Sequence, residues 1–227
     1  MIPPTTTKKN SVEFVVQRPF GPSIGCCKLP QQLIDDFNKD CESIMDDEVK
    51  KKTHDHSGRL AGKGGVSVRQ ELRISSEVFA RWEPLFRQFV EKYLTAHPQD
   101  KYPNPKMIFP SAWYVRSFAG DFIPSHFHTN CQLSCVGYLA LPEGMEKEWT
   151  EEDKKSSHVA AAGSIEMIYG QVNMFSTHSV RVRPRVGDYY LFPWWMDHMV
   201  YPFRTEGERR SFAFNVVIEK NLSNGTT

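Results

Sequence analysis

Gly120–His128 reads GDFIPSHFH, and Val186–Phe203 reads VGDYYLFPWWMDHMVYPF. Each pairs a Gly-Asp turn signal with an aromatic, strand-like run and then delivers histidine: His126 and His128 from the first, His198 from the second. Side chains two apart on an extended strand leave the same face, so His126 and His128 project together. A third imidazole from a later strand closes one triangular face of a coordination sphere and leaves other positions open for chemistry. That is the logic of non-heme iron centres, where two His and a carboxylate hold the metal. Here a third His stands where a carboxylate is usual. The nearby carboxylates have other expected places: Asp121 serves the turn, and Asp197, next to His198, faces away from it.

Working outward, the pattern from Met107 onward is that of strands: Ile108–Phe118, Cys131–Leu141, Ile165–Tyr169, Asp188–Phe192 and Arg209–Ile218, rich in aromatic and β-branched residues. Upstream, Val12–Gln17 reads as a short strand. Leu29–Asp47 carries Leu33, Phe37, Cys41, Ile44 and Met45 at helical spacing, and Ser76–Leu94 carries an aromatic stripe through Phe79, Trp82, Phe86, Phe89 and Tyr93. Lys50–Gly65 reads as a loop; its His54 and His56 are expected at the surface first and as substrate-side contacts second. Glu143–Lys155 reads as a charged, solvated excursion and Ser156–Gly163 as flexible chain. Helices first and strands later predict an α+β protein, and the strand-rich part predicts a double-stranded β-helix, or jelly roll, with N-terminal accessory helices. Residues 1–104 then supply a strand and helices packed on a jelly-roll core at 105–227, as one structural domain.

Composition narrows the function classes. Net charge is +1 over 227 residues, which offers no electrostatic footprint for duplex nucleic acid or a membrane surface. Five cysteines, Cys26, Cys27, Cys41, Cys131 and Cys135, form neither a disulfide framework nor a zinc knuckle. The start, MIPPTTTKKN, has no apolar run of signal-peptide length. The expected setting is a reducing cytoplasm.

Three segments together resemble the iron(II)- and 2-oxoglutarate-dependent oxygenases, in particular their prolyl-hydroxylase-like and phage or bacterial branches. Arg116–His128, RSFAGDFIPSHFH, is similar to the family's strand, Gly turn and first ligand segment. Val186–Phe203 is similar to its distal His segment, and Glu208–Asn215, ERRSFAFN, to the strand with an Arg-x-Ser pair for the co-substrate. The resemblance implies Fe(II), 2-oxoglutarate and O2, with His126, His128 and His198 as catalytic metal ligands and His128 in the place of the family carboxylate. It implies hydroxylation of a C–H bond coupled to decarboxylation of 2-oxoglutarate to succinate.

The distal carboxylate of 2-oxoglutarate needs a fixed cation, and Arg pairs a carboxylate with two parallel hydrogen bonds. Arg209, Ser211, Ala213 and Asn215 share one strand face, polar and small, whereas Arg210, Phe212 and Phe214 share the other. Arg209 with Ser211 is therefore the expected anchor, and Arg210 an outward edge charge. Tyr114 and Tyr138 are candidate hydroxyl donors to the co-substrate; each also suits an aromatic core. Two other classes stay open: a cupin-like three-His dioxygenase or metal-binding protein that does not use 2-oxoglutarate, and a non-catalytic jelly-roll binding module. The expected partner is a small-molecule or peptidyl substrate.

Overall fold

The computed structural model describes residues 12–17, 21–56, 70–98, 102, 104–155 and 161–219. Its backbone is organised by two antiparallel sheets. The broad one has seven strands: β1 (Val15–Gln17), β2 (Ile24–Lys28), β3 (Gln70–Arg73), β4 (Lys106–Ser117), β6 (Leu133–Ala140), β9 (Asp188–Pro193) and β11 (Arg209–Glu219), in the spatial order β1-β2-β9-β6-β11-β4-β3. The narrow one has four: β5 (Ile123–His126), β7 (Ile165–Ile168), β8 (Ser179–Val182) and β10 (Asp197–Val200), in the order β5-β10-β7-β8. Two facing sheets with crossing connections are the double-stranded β-helix expected from the sequence.

Alternation along the strands divides two interiors. Cys135, Leu139, Tyr189, Leu191, Phe212 and Phe214 face outward from the broad sheet into a core closed by α1 (Gln31–Met45) and α3 (Ser76–Thr95). There the Phe37 ring lies 4.9 Å from that of Phe212, and the Phe86 ring 4.7 Å from that of Phe214. The opposite faces of the same strands send Tyr138, Tyr190 and Phe192 between the sheets, where they meet Ile165, Met167 and Val200 of the narrow sheet. The N-terminal part does more than lay helices on the core, because β1, β2 and β3 are strands of the broad sheet itself.

Three local expectations are corrected. Lys50–Gly65 does not begin as a loop: α2 (Glu48–His54) starts at Asp47, whose side chain accepts from Val49 N and Lys50 N. Residues 57–65 of that stretch lie outside the described residues. Glu143–Lys155 is not a solvated excursion but contains α4 (Met145–Lys155), with Met145, Glu148 and Trp149 buried. Its few apolar residues fall on one helix face, and Glu148 is stabilised inside by bonds from Arg204 N, Thr205 N and Thr205 Oγ1. In Ser156–Gly163, residues 156–160 lie outside the described residues, whereas Ala161 and Ala162 are buried.

Candidate metal centre

β5 ends at His126, and β10 pairs with it so that His198 stands directly opposite. His128 lies two residues on, where its backbone N–H still bonds to Trp194 O at 3.0 Å and so prolongs the extended path. The result is a tripod. The His126 and His198 rings are 4.2 Å apart, His128 and His198 5.2 Å, and His126 and His128 5.5 Å. One ligand atom from each lies within 4.8 Å of the others, close enough for a single ion.

The ring orientations follow from local backbone. His126 Nδ1 is 2.9 Å from Pro124 O, and His198 Nδ1 is 2.9 Å from Met196 O. A carbonyl only accepts, so each Nδ1 carries the proton and each Nε2 keeps its lone pair. Burial, then the neighbouring His126, lowers the His128 pKa to about 4. Burial, then His126, likewise takes His198 to about 3, against an opposing pull from the Met196 carbonyl. A metal needs neutral imidazoles, and burial keeps these two neutral. No carboxylate belongs to the cluster among the described residues. Asp121 is buried and accepts from Phe118 N at 2.8 Å in the turn of Gly120 (φ 87°), while Asp197 points to solvent.

Arg209 is 1% exposed and aims between the sheets, its Nη1 donating to Gly163 O at 2.9 Å and its guanidinium 5.9 Å from the Tyr138 ring. Ser211 is buried on the same face and is the register partner of Tyr138. The Tyr138 hydroxyl has no hydrogen-bond partner among the described residues, and neither has Ser164 Oγ, next to the Gly163 that receives Arg209. Burial raises the Tyr138 pKa to about 12, so it stays a hydroxyl donor. A buried cation beside buried, unmatched hydroxyls fits a carboxylate ligand.

Two expected placements are corrected. Tyr114 is on the helix-side face of β4: its hydroxyl donates to Asp40 Oδ2 at 2.8 Å, and its ring packs on Phe37. It does not join the centre. Arg210 is not an edge charge. The outer face of β11 is roofed by α1, so Arg210 is buried and bonds Glu208 Oε1 at 2.7 Å, Asn38 Oδ1 at 3.0 Å and Glu42 Oε1 at 3.2 Å.

The sequence reading did not find the aromatic walls. The Trp113 ring is 6.2 Å from His128 and the Phe192 ring 4.9 Å from His198. Trp113 shares its face with Val115 and Ser117, the partners of Ser211 and Arg209, which was the available signal. His56 is half-buried against Trp113, rings 5.2 Å apart, at the site's edge. His54 ends α2 and ties it to β3, with Nδ1 2.8 Å from Arg73 O.

Residues 111–215 match the model of a family described as putative 2OG-Fe(II) oxygenase. No curated protein matches the chain. A Pseudomonas putida prolyl-4-hydroxylase superposes with a TM-score of 0.55 at 15% identity, over 85% of this chain and 91% of that one. A Trichoplax adhaerens prolyl hydroxylase, solved with a hypoxia inducible factor peptide fragment, gives 0.55 at 12% identity, over 90% and 87%. HygX from Streptomyces hygroscopicus, with nickel and 2-oxoglutarate bound, gives 0.50 at 13% identity, over 86% and 82%. At these identities the likeness is one of fold.

Proposed function

We propose that the chain, whose residues 111–215 match the model of the putative 2OG-Fe(II) oxygenase family, is an Fe(II)- and 2-oxoglutarate-dependent dioxygenase that hydroxylates a C–H bond. The observation that carries the reading is the meeting of three neutral-capable imidazoles with a buried Arg209 on one interior. HygX, similar in fold, was solved with nickel and 2-oxoglutarate bound, which supports the same pair of ligands here.

His126, His128 and His198 would hold the metal through imidazole nitrogen, two of them with Nδ1–H fixed on a backbone carbonyl. Arg209, with Ser211 and Tyr138, would hold the distal carboxylate of 2-oxoglutarate. Trp113 and Phe192 flank the histidines with apolar surface. When bound, iron and 2-oxoglutarate supply the oxidative chemistry, using O2 and yielding succinate. The substrate is a small molecule or a peptidyl segment. A reducing cytoplasm suits the five buried free thiols, and no helix among the described residues is long and apolar enough to cross a membrane.

His126→Ala and His198→Ala should each abolish stoichiometric Fe(II) binding while preserving the far-ultraviolet circular dichroism. Undiminished metal in both variants would refute the tripod. The all-imidazole donor set favours a second reading, a three-His centre that does not use 2-oxoglutarate. Anaerobic calorimetry of the metal-loaded protein separates the two: absence of 2-oxoglutarate binding selects the second.

A further inference from the structure

The floor of the barrel facing the histidines carries two polar side chains that the metal and 2-oxoglutarate sites leave unused. Asn215 on β11 and Ser134 on β6 are register partners. Both face between the sheets, because their neighbours Phe214 and Cys135 point into the helix-side core. Ser134 also stands opposite Phe192, whose ring contacts His198. Two residues back along β11, Ala213 stands opposite Trp113, whose ring approaches His128. The pair therefore lies between the two aromatic walls of the centre.

Both groups are unsatisfied. Ser134 is 0% exposed, and Ser134 Oγ and Asn215 Oδ1 are buried with no hydrogen-bond partner among the described residues. Buried polar atoms without partners are uncommon in folded proteins, and two as cross-strand neighbours in a reaction chamber point to a ligand. That ligand is not 2-oxoglutarate. Ser211 and Asn215 are four residues apart on one strand, about 13 Å at about 3.3 Å per residue. The four C–C bonds of 2-oxoglutarate, about 1.5 Å each, reach at most about 6 Å. A molecule anchored at Arg209, Ser211 and Tyr138 ends short of Asn215.

We propose that Ser134 and Asn215 form a recognition subsite for the primary substrate, engaging an amide group next to the C–H bond to be oxidised; this rests on the oxygenase reading above. An amide N–H donates to Asn215 Oδ1 while its carbonyl accepts from the Ser134 hydroxyl, so one group satisfies both. A charged group is disfavoured, because neither residue supplies a counter-charge and an unpaired buried ion is costly. An apolar group is disfavoured because both atoms stay unmatched. This is the arrangement by which sites reject analogues that lack a hydrogen-bonding group.

The probe is N-methylacetamide, with methyl acetate as a control of similar shape that lacks the donor. With Mn(II) in place of iron and 2-oxoglutarate present, paramagnetic relaxation of the probes' methyl protons reports binding beside the metal. N-Methylacetamide should bind roughly tenfold more tightly than methyl acetate, the worth of about one hydrogen bond. Asn215→Leu should remove that preference, and Ser134→Ala, which loses the donor to the carbonyl both probes share, should weaken both probes about equally, neither variant changing Mn(II) affinity or melting temperature. Equal relaxation by the two probes in the wild-type protein, a preference kept by Asn215→Leu, or undiminished binding of both probes to Ser134→Ala overturns the proposal. Metal-free crystals soaked in N-methylacetamide decide the subsite without the metal: the amide bridging Ser134 and Asn215 supports it, and ordered water only overturns it. Failure of Mn(II) to bind would count against the oxygenase reading alone.

Discussion

Arg209 and Arg210 are adjacent, of one chemistry and both buried, yet strand alternation gives them opposite tasks. Arg209 faces Tyr138 and the reaction chamber, and Arg210 faces α1. Arg209→Ala should weaken 2-oxoglutarate binding by roughly 30-fold to several-thousand-fold, because removing one member of a desolvated charge pair costs about 2–5 kcal/mol. Arg210→Ala should leave that affinity nearly intact and instead destabilise the fold by about 3 kcal/mol, the range for breaking a buried ion pair. Burial would raise the Glu208 pKa, but Arg116 and Arg210 together hold its carboxylate ionised, and the variant leaves Arg116 alone to do so. Calorimetric 2-oxoglutarate titration and urea unfolding of both variants check the split; a larger affinity loss for Arg210→Ala contradicts it. The inward register of Arg209 was legible, since small and polar residues alternate with phenylalanines in RRSFAFN. What lay beyond the outward face was not, because α1 reaches it from far away in sequence. For the same reason the sequence left Tyr114 open between the centre and the aromatic core.

At the scale of elements, strands of apolar composition announce themselves, and short polar ones do not. β4, β6 and β11 run for 12, 8 and 11 residues, long enough for composition to show. β5, β8 and β10 are four residues each and carry Pro, His, Arg and Asp, so only their pairing makes them strands. α4 was hidden in the same way, because Met145 and Trp149 are almost its whole apolar face. Its Glu148 reaches the chain leading into β11, accepting two backbone N–H bonds and the Thr205 hydroxyl. Glu148→Ala should cost about 2–4 kcal/mol, because it leaves backbone donors unmatched, and should increase protease cleavage near Arg204. Cleavage equal to wild type would show that the loop holds without it.

For the whole molecule, the buried His198 and the half-buried His128 couple stability to pH. His128 and His198 take up protons in the folded protein only near pH 4 and 3, whereas unfolded histidine does so near 6.5. Between those values the unfolded chain binds the extra protons, so the metal-free protein loses stability as pH falls below about 6.5 and is unaffected above it. Melting temperatures from pH 8 to 4 should show that bend, and His198→Leu should flatten it. An unchanged bend in the variant would place the coupling elsewhere.

The two sheets also differ in endurance. The narrow sheet is built from strands of four residues and holds all three histidines on or just beyond β5 and β10, whereas Arg209 belongs to the eleven-residue β11. Short ladders open first, so backbone amides of β5, β7 and β10 should exchange with deuterium far faster than those of β6 and β11 in the metal-free protein. An ion bridging β5 to β10 acts as a rivet across that weak layer, and its binding energy is withheld from any opened state. Saturating metal should therefore slow exchange selectively in the narrow sheet. Loss of the ion would be felt first as a fraying wall, while the arginine side of the chamber stays shut.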